Sequence, residues 1–311
     1  MSVLLWKPRG HHSRLLVWSS AAIGKIGRRH VSGGSHTPAA MDIERYPLHD
    51  ESRCLDILQR CRGDISTRGY CHLPGFLRPE VIPELIGEAE HAESSKLGFR
   101  SSEAHNVFLE SGPTPISASS ASLQTPTPLR EKEFESSKLL VAMDDMSPDS
   151  KLLELYRWGP LRKFLQSVFQ LPALYNSGDP MGGVYYNIYD CSFKDALGWH
   201  FDRSAFSMNL ILQTADGGEF QYWPNSREAV SHMTTWDEVE SRLDVNVETP
   251  DLFPGSLYLF AGNRSLHQVT EVTSGRRINA IFTYVENEGD RLNEYTLRKF
   301  FGRTEPRRQS T

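Results

Sequence analysis

The sequence is poor in the features that mark several large classes of protein. It has four cysteines in 311 residues, none of them in a C-x-x-C pair, so neither a disulfide framework nor a cysteine-rich zinc site is indicated. No apolar run reaches the length of about 18 residues that a transmembrane helix requires. The net charge of −5 argues against a basic surface for nucleic acid. We therefore expect no membrane partner and no nucleic-acid partner, and no pattern indicates an oligomeric state.

Acidic residues are also absent from the first 40 residues. This segment holds six Lys or Arg and carries +6, which leaves −11 for residues 41–311. A basic, Ser-containing segment without acids has the composition of a transit peptide, although an extension upstream of Met41 explains it equally well. We predict a basic extension or transit-like segment over 1–40 and a single domain over 41–311. The few cysteines favour a cytoplasmic location, and a mitochondrial one follows if 1–40 is a transit peptide.

Two kinds of hydrophobic pattern divide the remaining chain. Helical spacing of apolar residues occurs over 51–62, 81–89 and 161–169, which predicts helices with one buried face. From residue 183 the pattern changes to strand-like runs rich in β-branched and aromatic residues, namely VYYNIYD, FSMNLILQ, EFQYWP, SLYLFAG and RINAIFTYVE. This order predicts an α+β protein with an antiparallel β-core over about 183–286 and the N-terminal helices packed on it.

Two shorter segments interrupt these patterns. Thr235 and Glu238 form a capping-box pattern, which predicts a short helix between strands. Residues 111–128 are rich in Ser, Thr, Pro and Ala, which predicts an exposed loop. Such a loop could close over a site as a lid.

A candidate metal site begins in the stretch GWHFD, residues 198–202. His200 and Asp202 are two positions apart, so a strand places both side chains on one face. His267 follows the strand SLYLFAG further along the chain. Either histidine alone is an ordinary polar residue, but two histidines and one carboxylate make a set that leaves coordination positions open on non-haem Fe(II).

An arginine lies ten residues beyond His267. In the pattern H-x-V-x-x-V-x-x-G-x-R, Arg277 stands at the start of the next predicted strand. A planar guanidinium near the open side of an iron pairs in bidentate fashion with a carboxylate, as a chelating 2-oxo acid such as 2-oxoglutarate requires. Arg276 must point the opposite way on a strand, so only one of the two can serve, and we favour Arg277.

These motifs together resemble a known family. The ordered string H-x-D, P-G-S-L-x-L-F and H-x-V-x-x-V-x-x-G-x-R is similar to the Fe(II)/2-oxoglutarate-dependent dioxygenases. The resemblance implies a double-stranded β-helix, or jelly-roll, core and an enzyme that uses Fe(II), 2-oxoglutarate and O₂. Longer stretches resemble the branch that acts on free amino acids and includes amino-acid halogenases, namely HNVFL, LYNSGDPMGGVYYNIYD, LGWHFDRSAFSMNLILQ, GGEFQYWP, PGSLYLFAGNRSLHQVTEV and LRKFFGRT. The likeness covers roughly residues 55–305.

One departure from that branch bears on the reaction. The halogenases of the branch carry Gly or Ala in place of the metal-binding carboxylate, which leaves a coordination position for halide. Asp202 is retained here, so the resemblance implies hydroxylation, with desaturation and ring closure as alternatives that use the same oxidant. The expected substrate is a small molecule, a free amino acid or a derivative, with succinate and CO₂ as co-products.

Further site residues follow from the same resemblance. Asn187 and Tyr189 match an Asn-x-Tyr pair that holds 2-oxoglutarate in alkylation-repair dioxygenases, although Tyr189 could equally be a core aromatic. Arg203, His105 and Asn106 are candidates for contact with the substrate.

Two other functions stay open at this point. A peptide or protein hydroxylase of the same fold would need an open groove, and the sequence shows no pattern for one. A non-catalytic jelly-roll protein that binds a metal or 2-oxoglutarate is disfavoured, because the three metal ligands and the arginine are all present.

Overall fold

The chain folds as seven α-helices and fourteen strands within residues 37–109 and 127–307, the part that the computed structural model describes. The helices are α1 (Leu55–Arg68), α2 (Ile82–Ser94), α3 (Lys151–Arg157), α4 (Gly159–Val168), α5 (Arg227–Ser231), α6 (Trp236–Asn246) and α7 (Glu294–Phe301). The strands are β1 (Tyr70–Leu73), β2 (Phe99–His105), β3 (Phe134–Val141), β4 (Tyr175–Asn176), β5 (Val184–Asp190), β6 (Leu197–His200), β7 (Ser207–Gln213), β8 (Asp216–Gly217), β9 (Phe220–Trp223), β10 (Leu257–Phe260), β11 (Leu266–Val269), β12 (Val272–Ser274), β13 (Arg276–Phe282) and β14 (Tyr284–Val285).

Ten of these strands form one antiparallel sheet that curls on itself. Its order is β1-β10-β7-β13-β5-β3-β6-β11-β9, with β2 paired to β3. The two end strands approach each other, because the rings of Tyr70 in β1 and Tyr222 in β9 have centroids 5.3 Å apart. Closing a sheet in this way removes its exposed edges. The predicted jelly-roll core is confirmed.

The two faces of the central strands have different partners. Along β5, β7 and β13, alternate residues such as Tyr186, Leu210 and Ala280 pack in one core cluster with residues of α1 to α4. The residues between them point to the interior of the curled sheet, because side chains alternate along a strand. The N-terminal helices therefore cover the outer face, as predicted, and the interior is left for the site.

The β-core is longer at its N-terminal side than the predicted 183–286. Strands β1, β2 and β3 all precede residue 183 and all belong to the large sheet. Strand β3 has no hydrophobic alternation to reveal it, since Ser136 and Lys138 occupy inward positions. Those positions are polar because they face the site rather than an apolar core.

The short helix predicted between strands is present. Helix α6 begins after Thr235, whose hydroxyl oxygen accepts the Glu238 N–H at 3.4 Å. The four cysteines are free thiols. No helix in the described ranges is long and apolar enough to cross a membrane. Most of the predicted 1–40 extension and of the 111–128 loop lies outside the described residues.

Candidate metal centre

Strand pairing brings the two candidate histidine ligands together. Strands β6 and β11 are antiparallel neighbours, and His200 stands directly opposite His267. Their ring centroids are 4.1 Å apart. Both residues are about 95% buried, so the pair lies inside the curled sheet.

Asp202 completes the group from the loop after β6. Its Oδ1 lies 3.4 Å from Nε2 of His200 and 3.6 Å from Nε2 of His267. The Asp202 N–H donates to the Gly262 carbonyl at 3.0 Å, which ties this loop to the end of β10. One ligand atom from each of the three residues lies within 4.8 Å of the others. The three predicted metal residues therefore converge on one point.

The histidine tautomers suit metal binding. Nδ1–H of His200 donates to the Gly198 carbonyl at 2.8 Å, and Nδ1–H of His267 donates to the Ser265 carbonyl at 2.9 Å. A carbonyl oxygen only accepts, so each Nδ1 carries the proton and each Nε2 presents its lone pair. Both lone pairs point to the side on which the Asp202 carboxylate lies.

Burial and the neighbouring side chains favour the metal-binding forms of His200 and Asp202. Burial, together with the neighbouring His267, lowers the pKa of His200 to about 4, so its ring is neutral at pH 7. Burial acts to raise the pKa of Asp202, but His267 and His200 outweigh it and hold that pKa well below its usual range. Neutral imidazole and ionised carboxylate are the species that bind a divalent metal.

Gly262, just beyond the end of β10, leaves a space for the carboxylate of Asp202, which we call the cradle. A Cβ atom at Gly262 would lie 2.0 Å from Oδ2 of Asp202, well inside van der Waals contact. Only glycine leaves room for the carboxylate in its observed position. The donor set and this cradle both fit an Fe(II) ion held by two histidines and one carboxylate.

The two adjacent arginines of β13 point in opposite directions. Arg277 is about 96% buried, donates to Oδ1 of Asn279 at 2.8 Å and lies 5.4 Å from the Tyr189 ring. Among the described residues no carboxylate is within ion-pair distance of it. Arg276 instead pairs with Glu90, Glu93 and Asp190 on the outer side.

A buried guanidinium without a carboxylate partner implies an anion that binds there, because an unpaired buried charge is costly. Arg277 faces the same interior as the three metal-binding residues. This position is compatible with binding the distal carboxylate of 2-oxoglutarate, and that role of Arg277 stays a prediction.

Asn187 and Tyr189 lie on the inner face of β5. Tyr189 is paired in register with Arg277, and Asn187 with Asn279. Oδ1 of Asn187 is buried with no hydrogen-bond partner. Burial raises the pKa of Tyr189 to about 12. Their inward positions are compatible with binding 2-oxoglutarate, and that role stays a prediction.

His105 lies behind His200 rather than at an open surface. Its Nδ1–H donates to the Asn106 carbonyl at 3.1 Å, and Ser136 Oγ–H donates to its Nε2 at 2.6 Å. Ser136 Oγ in turn accepts the Gly198 N–H at 2.9 Å. This chain of bonds ends on the residue whose carbonyl holds Nδ1 of His200. Both ring nitrogens of His105 are thus engaged within the protein, and its contacts suit a positioning role.

The other two predicted substrate residues differ in exposure, since Asn106 is buried and Arg203 is exposed. The Asn106 amide donates to the Arg130 carbonyl at 3.1 Å, and its oxygen accepts the Phe108 N–H. Arg203 is exposed and lies 5.9 Å from the Tyr295 ring of α7. Contact of either residue with a substrate stays a prediction.

Sequence reasoning missed two residues of the site. Gly262 closes the strand SLYLFAG without any motif of its own, and only its distance to Asp202 reveals it. Lys138 lies on the inner face of β3, a strand whose sequence has no hydrophobic alternation to mark it.

The fold and the site define a class. A jelly-roll core, two histidines and a carboxylate at one point, and a buried unpaired arginine beside them are the features of the non-haem Fe(II)/2-oxoglutarate-dependent oxygenases, and the protein is an enzyme of this class. A family model described as Halogenase D matches residues 132–298, which is more than half of the chain. The chain belongs to the halogenase D family.

Comparison with solved structures supports the fold. The epimerase SnoN from nogalamycin biosynthesis, described as non-haem and α-ketoglutarate dependent, is 15% identical, with a TM-score of 0.54 over 82% of this chain and 92% of its own. SnoN in complex with Fe³⁺, α-ketoglutarate and nogalamycin RO is 14% identical, with a TM-score of 0.53 over 82% and 94%. An oxidoreductase of the 2OG-Fe(II) oxygenase family from Burkholderia pseudomallei is 12% identical, with a TM-score of 0.47 over 75% and 92%. At these identities the two SnoN structures, with TM-scores above 0.5, show a shared fold. No protein of curated function matches the sequence.

Proposed function

We propose that the protein hydroxylates a small molecule, a free amino acid or a derivative of one. The observation that carries the proposal is the position of the Asp202 carboxylate, which reaches both histidine Nε2 atoms at 3.4 and 3.6 Å. The related halogenases have Gly or Ala at this place and use the freed position for halide. With Asp202 as the third protein ligand, that position is taken, which favours transfer of oxygen.

The residues of the site have distinct tasks in this reaction. His200, Asp202 and His267 would hold Fe(II), which, when bound with 2-oxoglutarate and O₂, supplies the oxidant and leaves succinate and CO₂. Arg277 binds and orients the co-substrate by its distal carboxylate. The Phe260 ring packs against His267 at 4.7 Å and excludes water from that side of the centre. Exclusion of water protects the oxidant from side reactions.

A screen of the proteinogenic amino acids for substrate-dependent succinate formation tests the proposal. The assay contains Fe(II), 2-oxoglutarate, chloride and bromide, and the products are analysed by mass. We expect an amino acid to gain one oxygen atom. Incorporation of a halogen overturns the hydroxylase proposal, as does loss of two hydrogen atoms without gain of oxygen, which means desaturation or ring closure.

Peptides that contain the same residues form a second arm of the screen. Turnover of peptides with no turnover of free amino acids would identify a peptide hydroxylase and refute the proposed substrate class. An Asp202→Ala variant serves as the control for both arms, because it lacks one metal ligand.

A further inference from the structure

Lys138 is a second cation on the inner face of the sheet, and the reaction described above does not use it. Leu139 of β3 is paired with Ile188 of β5, so the antiparallel register places Lys138 level with Tyr189. Tyr189 is itself opposite Arg277. The three side chains therefore form a row across β3, β5 and β13, and the Cα atoms of Lys138 and Arg277 are separated by two strand spacings, about 10 Å.

Lys138 forms no ion pair with an acidic residue of the described ranges. No carboxylate of the described residues lies within ion-pair distance, and its nearest ring contact is Phe300 of α7 at 5.9 Å. The nearby Asp195 already accepts bonds from Arg100 at 2.8 and 2.6 Å and from Ser137 at 2.7 Å. Burial lowers the pKa of Lys138 to about 8, so its ammonium group is still the main form at neutral pH.

The charged groups that would act on the metal and the co-substrate leave Lys138 without a partner. Asp202 would bind the metal together with His200 and His267, and Arg277 would pair with the distal carboxylate of 2-oxoglutarate. A partly buried cation that stays unpaired is costly, so the position of Lys138 favours one further carboxylate beside it.

We propose that Lys138 binds the carboxylate of the substrate. This inference rests on the proposed function and narrows it, because a substrate held in this way is a small free acid and not a residue within a peptide chain. The unpartnered Oδ1 of Asn187 is level with Leu140, one diagonal step from Lys138 and about 7 to 8 Å away. 2-Oxoglutarate carries no hydrogen-bond donor for this oxygen, whereas the ammonium group of an α-amino acid does.

The test compares free acids with their primary amides in wild-type protein, in Lys138→Met and in Lys138→Arg. The panel contains small carboxylic acids with and without an α-amino group. Lys163→Met, which removes an exposed lysine of α4, is the matched control. For the wild-type protein we expect KM to be lower for the acid than for the amide by about 10- to 100-fold, the factor that a hydrogen bond to a charged group contributes.

The variants have distinct expected results. Lys138→Met should lose the preference for the acid, Lys138→Arg should keep part of it, and Lys163→Met should keep all of it. The affinity of Lys138→Met for 2-oxoglutarate, from anaerobic titration of the Fe(II) charge-transfer band, should change by less than about 3-fold, since Arg277 remains. Its melting temperature should not fall, so loss of folding would not explain the result.

Several outcomes would overturn the inference. An unchanged acid preference in Lys138→Met does so while leaving the amino-acid proposal intact. A loss of 2-oxoglutarate affinity in Lys138→Met assigns Lys138 to the co-substrate instead. Turnover of amides or peptides only, or no turnover of any acid in the panel, refutes both proposals. Lys138-dependent turnover restricted to acids without an amino group supports the inference and refutes the amino-acid proposal.

Discussion

Gly262→Ala should damage the metal site without touching any metal ligand. The added methyl group would lie 2.0 Å from Oδ2, 2.6 Å from Cγ and 2.9 Å from Cβ of Asp202. Rotation of the carboxylate alone cannot relieve a clash that includes Cβ. The backbones cannot simply separate either, because the Asp202 N–H is bonded to the Gly262 carbonyl at 3.0 Å.

The size of the effect follows from this displacement. The carboxylate must move by more than about 1 Å to restore ordinary contact distances, and a shift of that size in a metal-supporting group lowers metal affinity by about 10- to 100-fold. This corresponds to about 1.4 to 2.7 kcal/mol of binding free energy. Anaerobic Fe(II) titration in the presence of 2-oxoglutarate, followed by the charge-transfer band, measures it directly.

A second glycine provides the control for this experiment. A Cβ atom at Gly87, within α2, meets nothing within 4 Å. Gly87→Ala should leave Fe(II) affinity unchanged and stabilise the fold by up to about 1 kcal/mol, because alanine favours a helix. Wild-type Fe(II) affinity in Gly262→Ala would show that Asp202 does not need its observed position, and the assignment of the cradle would be wrong.

Three further predictions concern single residues of the site. Asp202→Ala should abolish product formation while the protein stays folded, and full turnover by this variant would refute the metal assignment. Arg277→Lys should raise KM for 2-oxoglutarate by about 10-fold or more, because a lysine cannot form the bidentate pair, whereas Arg276→Lys should leave KM unchanged; equal effects would contradict the opposite orientations. Lys138→Met should raise the free energy of unfolding at pH 7 by about 1 to 3 kcal/mol, because a depressed lysine pKa penalises the folded state. That penalty is complete below pH 8 and becomes smaller as the pH rises toward about 10.4, the pKa of an unfolded lysine. The free energies of unfolding of wild-type protein and Lys138→Met, measured by denaturant titration, should therefore converge between these two pH values. A difference that stays constant with pH would show that the lysine pKa is not its cause.

The elements of this fold were predictable to different degrees. Helix α2, helix α4 and strand β5 follow from apolar spacing alone, because each has one face against the same core. Strand β3 does not, since its inward residues Ser136 and Lys138 face a polar site and break the alternation that marks a strand. A hydrophobic pattern reveals which residues are buried in an apolar core. A strand that lines a polar functional site lacks this pattern and is therefore the hardest to predict.

The site shows the same division among its residues. His200 and Asp202 could be predicted as a pair, because they are only two residues apart in the chain. The expectation that both lie on one strand was wrong for Asp202, which lies in the loop after β6. Their pairing with His267 required the motif further along, and the structure supplied the β6–β11 register that brings the histidines face to face. The choice between Arg276 and Arg277 depended on which face of β13 is covered by helices.

The amino-acid sequence by itself determined the kinds of ligand, their order and the class of chemistry, because those are set by residue types at short spacings. The tertiary structure decided what depends on strands far apart in the chain: the glycine that makes room for Asp202, the serine and histidine that support His200, and the lysine placed level with Arg277. Sheet register is a global property of the folded chain, and no local pattern in the sequence encodes it.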